Sequence, residues 1–175
     1  MHNELLDVVD IDDAVIAQQP RSEIHAKGLR HRAVHILVFN DHDQLFLQKR
    51  SMKKDLNKGL WDSSAAGHVD AGESYIRCAP RELQEELGVS VDSLEALFKL
   101  EPSPELGMEF IQVYRCRHNG PFSLAAEEID EGCWLNRPSV DERVASNDPT
   151  LTLTFKIIWQ RFRKFPNHMD ARALF

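Results

Sequence analysis

The 175-residue chain contains no run of about 18 apolar residues, the length a helix needs to cross a bilayer, and nothing in it reads as a membrane span. Its first ten residues, MHNELLDVVD, have neither a basic start nor an apolar stretch, so no secretory leader is expected. Cysteine is scarce. Cys78, Cys116 and Cys133 are odd in number, far apart and in no CxxC pair, which argues against a disulfide framework and against a zinc site of thiolates alone. Free thiols suit a reducing compartment, and a cytoplasmic protein is expected. Positive charge is also in deficit: 21 Lys and Arg against 28 Asp and Glu leave a net charge of −7. Such a chain lacks the basic field of a protein that grips polymeric nucleic acid. Repeats, low-complexity tracts and Gly/Ser linkers are missing too, so residues 1–175 are read as one domain. An acidic surplus can still be concentrated at one place to hold a cation, which makes the position of the carboxylates the question.

What is present is a succession of β-type runs with few helical ones. Residues 4–10 and 14–19 flank Asp12-Asp13 and predict an N-terminal β-hairpin over about 4–19. Ala33–Asn40 and Gln44–Arg50 are separated by Asp41-His42-Asp43 and read as a second, longer hairpin feeding a core sheet over about 30–165. Residues 60–67 read as extended. A helix is predicted over 74–87, capped by Ser74, with Leu83 and Leu87 on one face and Gly88 as its stop. Pro80 falls inside it, where the missing N–H predicts a kink or a helix that starts near Pro80. Further strand-like runs lie at 94–100, 109–117 and 132–135. In the tail Leu151, Phe155, Ile158, Phe162 and Phe165 recur at helical spacing and should cover one face of the sheet. The pattern is an α/β one, a mixed β-sheet between helices.

Chemistry concentrates between Gly67 and Val89, GHVDAGESYIRCAPRELQEELGV. Glu82, Glu85 and Glu86 stand at i, i+3 and i+4, which puts three like charges on one helix face at a cost of tenths of a kcal/mol per pair. A hard divalent cation such as magnesium, which prefers carboxylate and water oxygens beside substrate phosphates, removes that cost. Glu73 and Arg81 bracket the loop-to-helix segment and can pair to fix its shape.

The spacing of the whole segment is more specific. Gly67, five residues, Glu73, seven residues, Arg81-Glu82-Leu83, one residue, Glu85-Glu86, one residue and Gly88-Val89 match the Nudix box at all seven fixed and two aliphatic positions. At roughly 6% per fixed residue type, a chance match is on the order of one in ten million or rarer. The sequence therefore resembles the Nudix hydrolases, and the resemblance implies an α/β/α sandwich and Mg2+-dependent cleavage of a diphosphate bond, with Mn2+ as a possible substitute. It implies Glu82, Glu85, Glu86 and the Gly67 carbonyl as metal ligands and Glu73 with Arg81 as the structural pair. The general base is Glu86 or Glu85 by the same likeness, with Glu127 and Glu128 on a later loop as alternatives. The implied partner is a small diphosphate: a nucleoside di- or triphosphate, or a nucleoside diphosphate joined to another moiety. The family also admits a homodimer.

Residues 31–73 resemble the type 1 isopentenyl diphosphate isomerases as well. Arg50 and Lys54 stand where those enzymes grip the diphosphate, His31 and His68 align with two of their metal-binding histidines, His25 lies one residue out of register with a third, and Glu109 falls near their catalytic glutamate. Ala66, however, occupies the place of their catalytic cysteine, and a methyl group moves no proton. Glu82 and Glu85 are a second departure, because the hydrolase needs them and the isomerases typically lack them. A non-catalytic nucleotide-sensing module is the third alternative, set aside because such modules commonly lose a box glutamate and none is lost here.

Overall fold

The computed structural model describes residues 3–165, so residues 1–2 and 166–175 of the expected domain lie outside the described residues. The chain opens with the predicted hairpin, β1 (Leu5–Val9) and β2 (Val15–Pro20). A short helix α1 (Arg21–Lys27), absent from the sequence reading, follows it and ends at Gly28 in the left-handed conformation. With seven residues and Ile24 as its one buried side chain, α1 is too short to show a helical period. Leu6, Val8 and Ile24 form a small core of their own with Leu29 against them.

The main sheet is built on β3 (His31–Phe39). It pairs in parallel with β8 (Glu109–Arg117) over its whole length and antiparallel with β6 (Ala65–His68) from Ala33 to Ile36. On the far side β7 (Glu95–Leu100) pairs with β8. Alternate residues of β3 serve opposite faces, as the two-residue period requires. Val34, Ile36 and Val38 pack with Cys78, Ala79, Leu83 and Leu87 of helix α2 (Tyr75–Leu87). Ala33, Leu37 and Phe39 join Phe155, Ile158, Trp159 and Phe162 of α4 (Leu153–Lys164), the predicted tail helix. A further helix, α3 (Arg137–Ala145), was not read from the sequence; it offers only Val140 and Val144 to the core and starts where the Asn136 side chain accepts the Ser139 N–H. The result is the expected α/β/α sandwich around a mixed sheet. Among the described residues no helix is long and apolar enough to cross a membrane.

Two sequence expectations need correction. The second hairpin is barely one: β3 and β4 (Gln44–Arg50) share a single register pair, Phe39 with Leu45, and then part. β4 instead pairs with β9 (Ile129–Asn136) and with β5 (Trp61–Asp62). The cause is Ser64. Its hydroxyl accepts the Val38 N–H of β3 and donates to the Phe46 carbonyl of β4, so a side chain stands where a ladder bond would close. Where the two strands part, β6 lies beside Ala33–Ile36 of β3 and brings Ala65, Ala66 and Gly67 into the gap between them. Of the two outcomes expected at Pro80, a kink or a helix start, the start is excluded: α2 runs from Tyr75 with Pro80 inside. Pro80 is on the exposed side, where water can take up the Ile76 carbonyl that the missing N–H leaves. Ser74 holds the N-cap position, but its side chain makes no capping bond; Gly88 ends the helix in the left-handed conformation at φ 69°.

Candidate active site

Helix α2 brings its glutamates against β6. Glu82 is 8% and Glu86 5% exposed, whereas the Glu85 side chain is 58% exposed at the rim, so the three share a helix face without sharing an environment. Glu86 accepts the Ala66 N–H at 2.7 Å. Glu82 lies so close to Gly67 that a Cβ there would sit 2.1 Å from its carboxylate, which is why that position has no side chain. Arg81 organises the group: it donates from Nε and Nη2 to the two oxygens of Glu73, both at 2.8 Å, and from Nη1 to Glu82 at 3.0 Å and Glu85 at 3.2 Å. Its Nη2 also donates to the His68 carbonyl at 3.1 Å, tying α2 to β6. Glu73 in turn accepts the Asp70 N–H at 3.0 Å, so the Arg81–Glu73 ion pair also fastens the loop that leads into α2.

One guanidinium faces four carboxylates, and the buried two carry the deficit. Burial pushes Glu82 up to about 8, with Arg81 opposing and Glu85 adding to the rise. Glu86 is raised well above the carboxylate range by burial first and then by the charges of Glu82 and Glu128. Burial would raise Glu73 as well, but the Arg81 fork outweighs it and holds that carboxyl low. Two buried, under-compensated carboxylates beside the Gly67 backbone form a hard oxygen donor set, and its chemistry fits Mg2+.

The turn after β4 forms one wall of the gap. Ser51 N–H donates to the Glu128 carbonyl at 2.9 Å and Met52 N–H to Asp130 at 3.2 Å, stitching this turn to the segment before β9. Lys54 pairs with Glu128, and Lys53 with Glu127 at 2.6 Å. The Glu127 side chain is 77% exposed and turned to solvent; Glu128 faces the cradle. Arg50 is near Asp62 at 3.7 Å and donates from Nε to the Leu56 carbonyl at 3.1 Å. Cys78 and Cys116 are buried thiols pushed up by burial, Cys116 to about 12, so neither supplies a thiolate.

Glu109 does not join the α2 carboxylates. It belongs to a separate cluster with His25 of α1, His31 of β3 and His68 of β6, whose ring centroids lie 5.2–5.4 Å apart. One ligand atom from each of the four falls within 4.8 Å of the others. His31 Nδ1 donates to the Leu29 carbonyl at 2.9 Å, and its Nε2 is aimed into the cluster. That Nε2 is buried without a hydrogen-bond partner, with Glu109 3.4 Å away. Burial opposes a charge on His68, but hydrogen bonds from it to Glu109 and Glu4 win and raise it to about 9. Burial likewise acts against Glu109, and His31 with His68 hold it far below the carboxylate range. His25 is lowered to about 4 by burial and the neighbouring charges of His68 and Arg21. Sequence reasoning missed Arg21, whose guanidinium meets Asp55 at 2.9 Å one residue from Lys54, and no local pattern announces so distant a pair.

Comparison with known proteins follows the same lines. The NUDIX domain pattern matches residues 29–155. The chain is 34% identical over 149 residues to the uncharacterized Nudix hydrolase YfcD of Salmonella typhi, covering 80% of this chain and 76% of that one. It is 32% identical over 160 residues to an isopentenyl-diphosphate Delta-isomerase of Serratia proteamaculans, covering 89% of each. Among solved structures, DR0079 of Deinococcus radiodurans superposes with a TM-score of 0.79 at 29% identity, covering 90% of this chain and 98% of that one.

Proposed function

This chain belongs to the Nudix family, and from that premise we propose that it is a Mg2+-dependent hydrolase of a diphosphate bond in a nucleoside di- or triphosphate or a nucleoside diphosphate carrying another moiety. The observation that carries this reading is the intact donor set of Glu82, Glu86 and the Gly67 backbone, with Ala66 at the point where an isomerase needs its cysteine. Glu82 and Glu86, with Glu85 at the rim and the Gly67 carbonyl, would hold the cation. A magnesium ion held by these residues would supply positive charge against the phosphate oxygens and would make the attacking water more acidic.

The chain's own residues do the rest. Arg81, locked on Glu73, keeps Glu82 turned toward Gly67. Arg50 and Lys54 present cations to the diphosphate from the β4 side of the gap, where charge-assisted bonds to phosphate are strongest. A carboxylate takes the proton of the attacking water. Glu86 is enclosed and already engaged by the Ala66 N–H, which favours a ligand role over a proton-shuttling one.

The three imidazoles and Glu109 support a second, softer cation site suited to Zn2+ or Mn2+, and the unpartnered His31 Nε2 is the observation behind it. The test is phosphate release from a panel of nucleoside diphosphates, triphosphates and ADP-ribose, with and without Mg2+, beside elemental analysis of the purified protein. Release from none of them, or activity indifferent to Glu86→Gln, sinks the hydrolase reading.

A further inference from the structure

Two lysine–glutamate pairs join the same two segments side by side, yet they differ in placement. Lys53 and Glu127 meet in solvent, with side chains 60% and 77% exposed. Lys54 and Glu128 meet deeper, at 24% and 41%, beside the α2 carboxylates. Glu128 is fixed from both sides. Ala125 N–H donates to the Glu86 carbonyl at 3.0 Å, Glu128 N–H to the Ala125 carbonyl at 2.9 Å, and Ser51 N–H to Glu128's own carbonyl. This short bridge therefore hangs Glu128 from the C-terminal turn of α2, next to the cradle it would serve. The carboxylates of α2 are already engaged: Glu86 with Ala66, Glu82 and Glu85 with Arg81.

Resting on the hydrolase reading, we infer that Lys54 is a substrate-operated latch on Glu128. Its ammonium holds the Glu128 carboxylate while the gap is empty; a diphosphate draws Lys54 to itself, and the freed Glu128 takes the proton of the attacking water. The exchange follows from charge, since a diphosphate offers several anionic oxygens where Glu128 offers one negative charge. In the step itself the water oxygen bonds to phosphorus and its proton passes to Glu128. The bridging P–O bond breaks with its electron pair on the departing phosphate. Glu128, open at the rim, then returns the proton to solvent.

The experiment reads turnover and the lysine separately. With the best substrate of the panel, Glu128→Gln lowers kcat by about a hundredfold or more, within the span of general base catalysis, and moves KM by less than about threefold. Lys54→Met raises KM about tenfold, roughly the loss of one charge-assisted contact. Lys53→Met, on the outward pair, stays within about twofold of wild type. In protein with 13C-methylated lysines, the Lys54 signal, assigned by its absence from Lys54→Met, shifts when methylenediphosphonate and Mg2+ are added. In Glu128→Gln it starts at the position of an unpaired lysine. A kcat within about threefold of wild type in Glu128→Gln overturns the proton role, and a Lys54 signal that ignores methylenediphosphonate overturns the latch. A wild-type chain that cleaves nothing in the panel overturns the hydrolase reading and this inference with it; an active wild type matched by an equally active Glu128→Gln overturns this inference alone.

Discussion

At Ala66 and Gly67 the buried carboxylates of Glu82 and Glu86 face β6; one residue on, at His68, three imidazoles surround the carboxylate of Glu109. Both clusters take charge out of water, and they settle the cost differently. The cradle has one cation, Arg81, which Glu73 grips with both oxygens, so negative charge is left over and the raised Glu82 and Glu86 record it. The histidine cluster neutralises itself, a protonated His68 against an ionised Glu109. A cation answers the repulsion and burial that raise the first pair, whereas in the second it must compete with an ion pair already formed. The cradle should therefore be the centre that governs turnover, and the histidine cluster one whose occupancy by a softer metal, where it binds, is separate from turnover.

Removing one carboxylate tests this division most severely. Glu86→Gln should cost on the order of a thousandfold in kcat, several kcal/mol of transition-state stabilisation, while leaving any Zn2+ or Mn2+ at the histidines in place. His31→Gln should do the reverse, emptying the histidine cluster while kcat drops by less than about tenfold. Elemental analysis and steady-state kinetics on both variants decide it; equal losses of turnover would merge the two centres into one.

The two regions also differ in how far the sequence announces them. The cradle is local: its glutamates, Arg81 and Gly88 fall within one helix and its cap, and their spacing alone places them on a common turn. Even so, the helical period could not show that Glu85 stays at the rim while Glu82 and Glu86 go under, because β6 is what divides them. The histidine cluster draws on four elements, α1, β3, β6 and β8, and α1 was not read at all. The parting of β3 and β4 was equally hidden. A two-strand pattern with a short turn reads as a hairpin, and only the tertiary position of Ser64 shows that its hydroxyl displaces the ladder. Lys54 with Glu128 joins positions 74 residues apart, beyond any local rule.

Gly67 sharpens the comparison at one atom. Gly67→Ala puts a methyl 2.1 Å from the Glu82 carboxylate, which must swing off the β6 backbone and off Arg81. Turnover should fall about a hundredfold, from misplacement rather than from loss of a charge. The apparent Mg2+ affinity should weaken in the same titration, with any metal at the histidines unaffected. Unchanged Mg2+ dependence would show that Glu82 is not held for the cation.

Ser64→Ala acts on the gap itself. It strips a buried partner from Val38 N–H and Phe46 C=O, and the loss should be about 1–3 kcal/mol by chemical denaturation. Because β3 pairs with β6 and β8 independently of Ser64, any metal held at the histidine cluster should be retained. A variant as stable as wild type would mean that the strands can close the ladder without the wedge.

The smallest effect separates the clusters by pH. Glu82 and Glu86 have folded values above the unfolded one, so their contribution is fully present below about pH 4.5 and is lost as pH rises, through about 8 for Glu82. The charges facing them are Arg81 as the opposing cation, with Lys54 more distant, and Glu85, Glu4 and Glu128 as further anions. His68 is also raised, so its share is complete below about 6.5 and fades through about 9; Glu109, lowered, contributes above about 4.5 and loses its share only in acid. Metal-free protein should therefore melt lower at pH 8.5 than at pH 6 on both accounts. Mg2+ can repay only the cradle's part. At pH 8.5 metal-free Glu86→Gln, which keeps an acceptor for the Ala66 N–H without a buried charge, should exceed wild type by about 1–2 kcal/mol, a rise of a few degrees in Tm. Wild type should recover that difference when Mg2+ is added, and the variant should gain far less. If Mg2+ raises both by the same amount, the excess charge does not reside on Glu86, and the contrast between a cradle completed by a cation and a cluster completed by a proton fails at its first term.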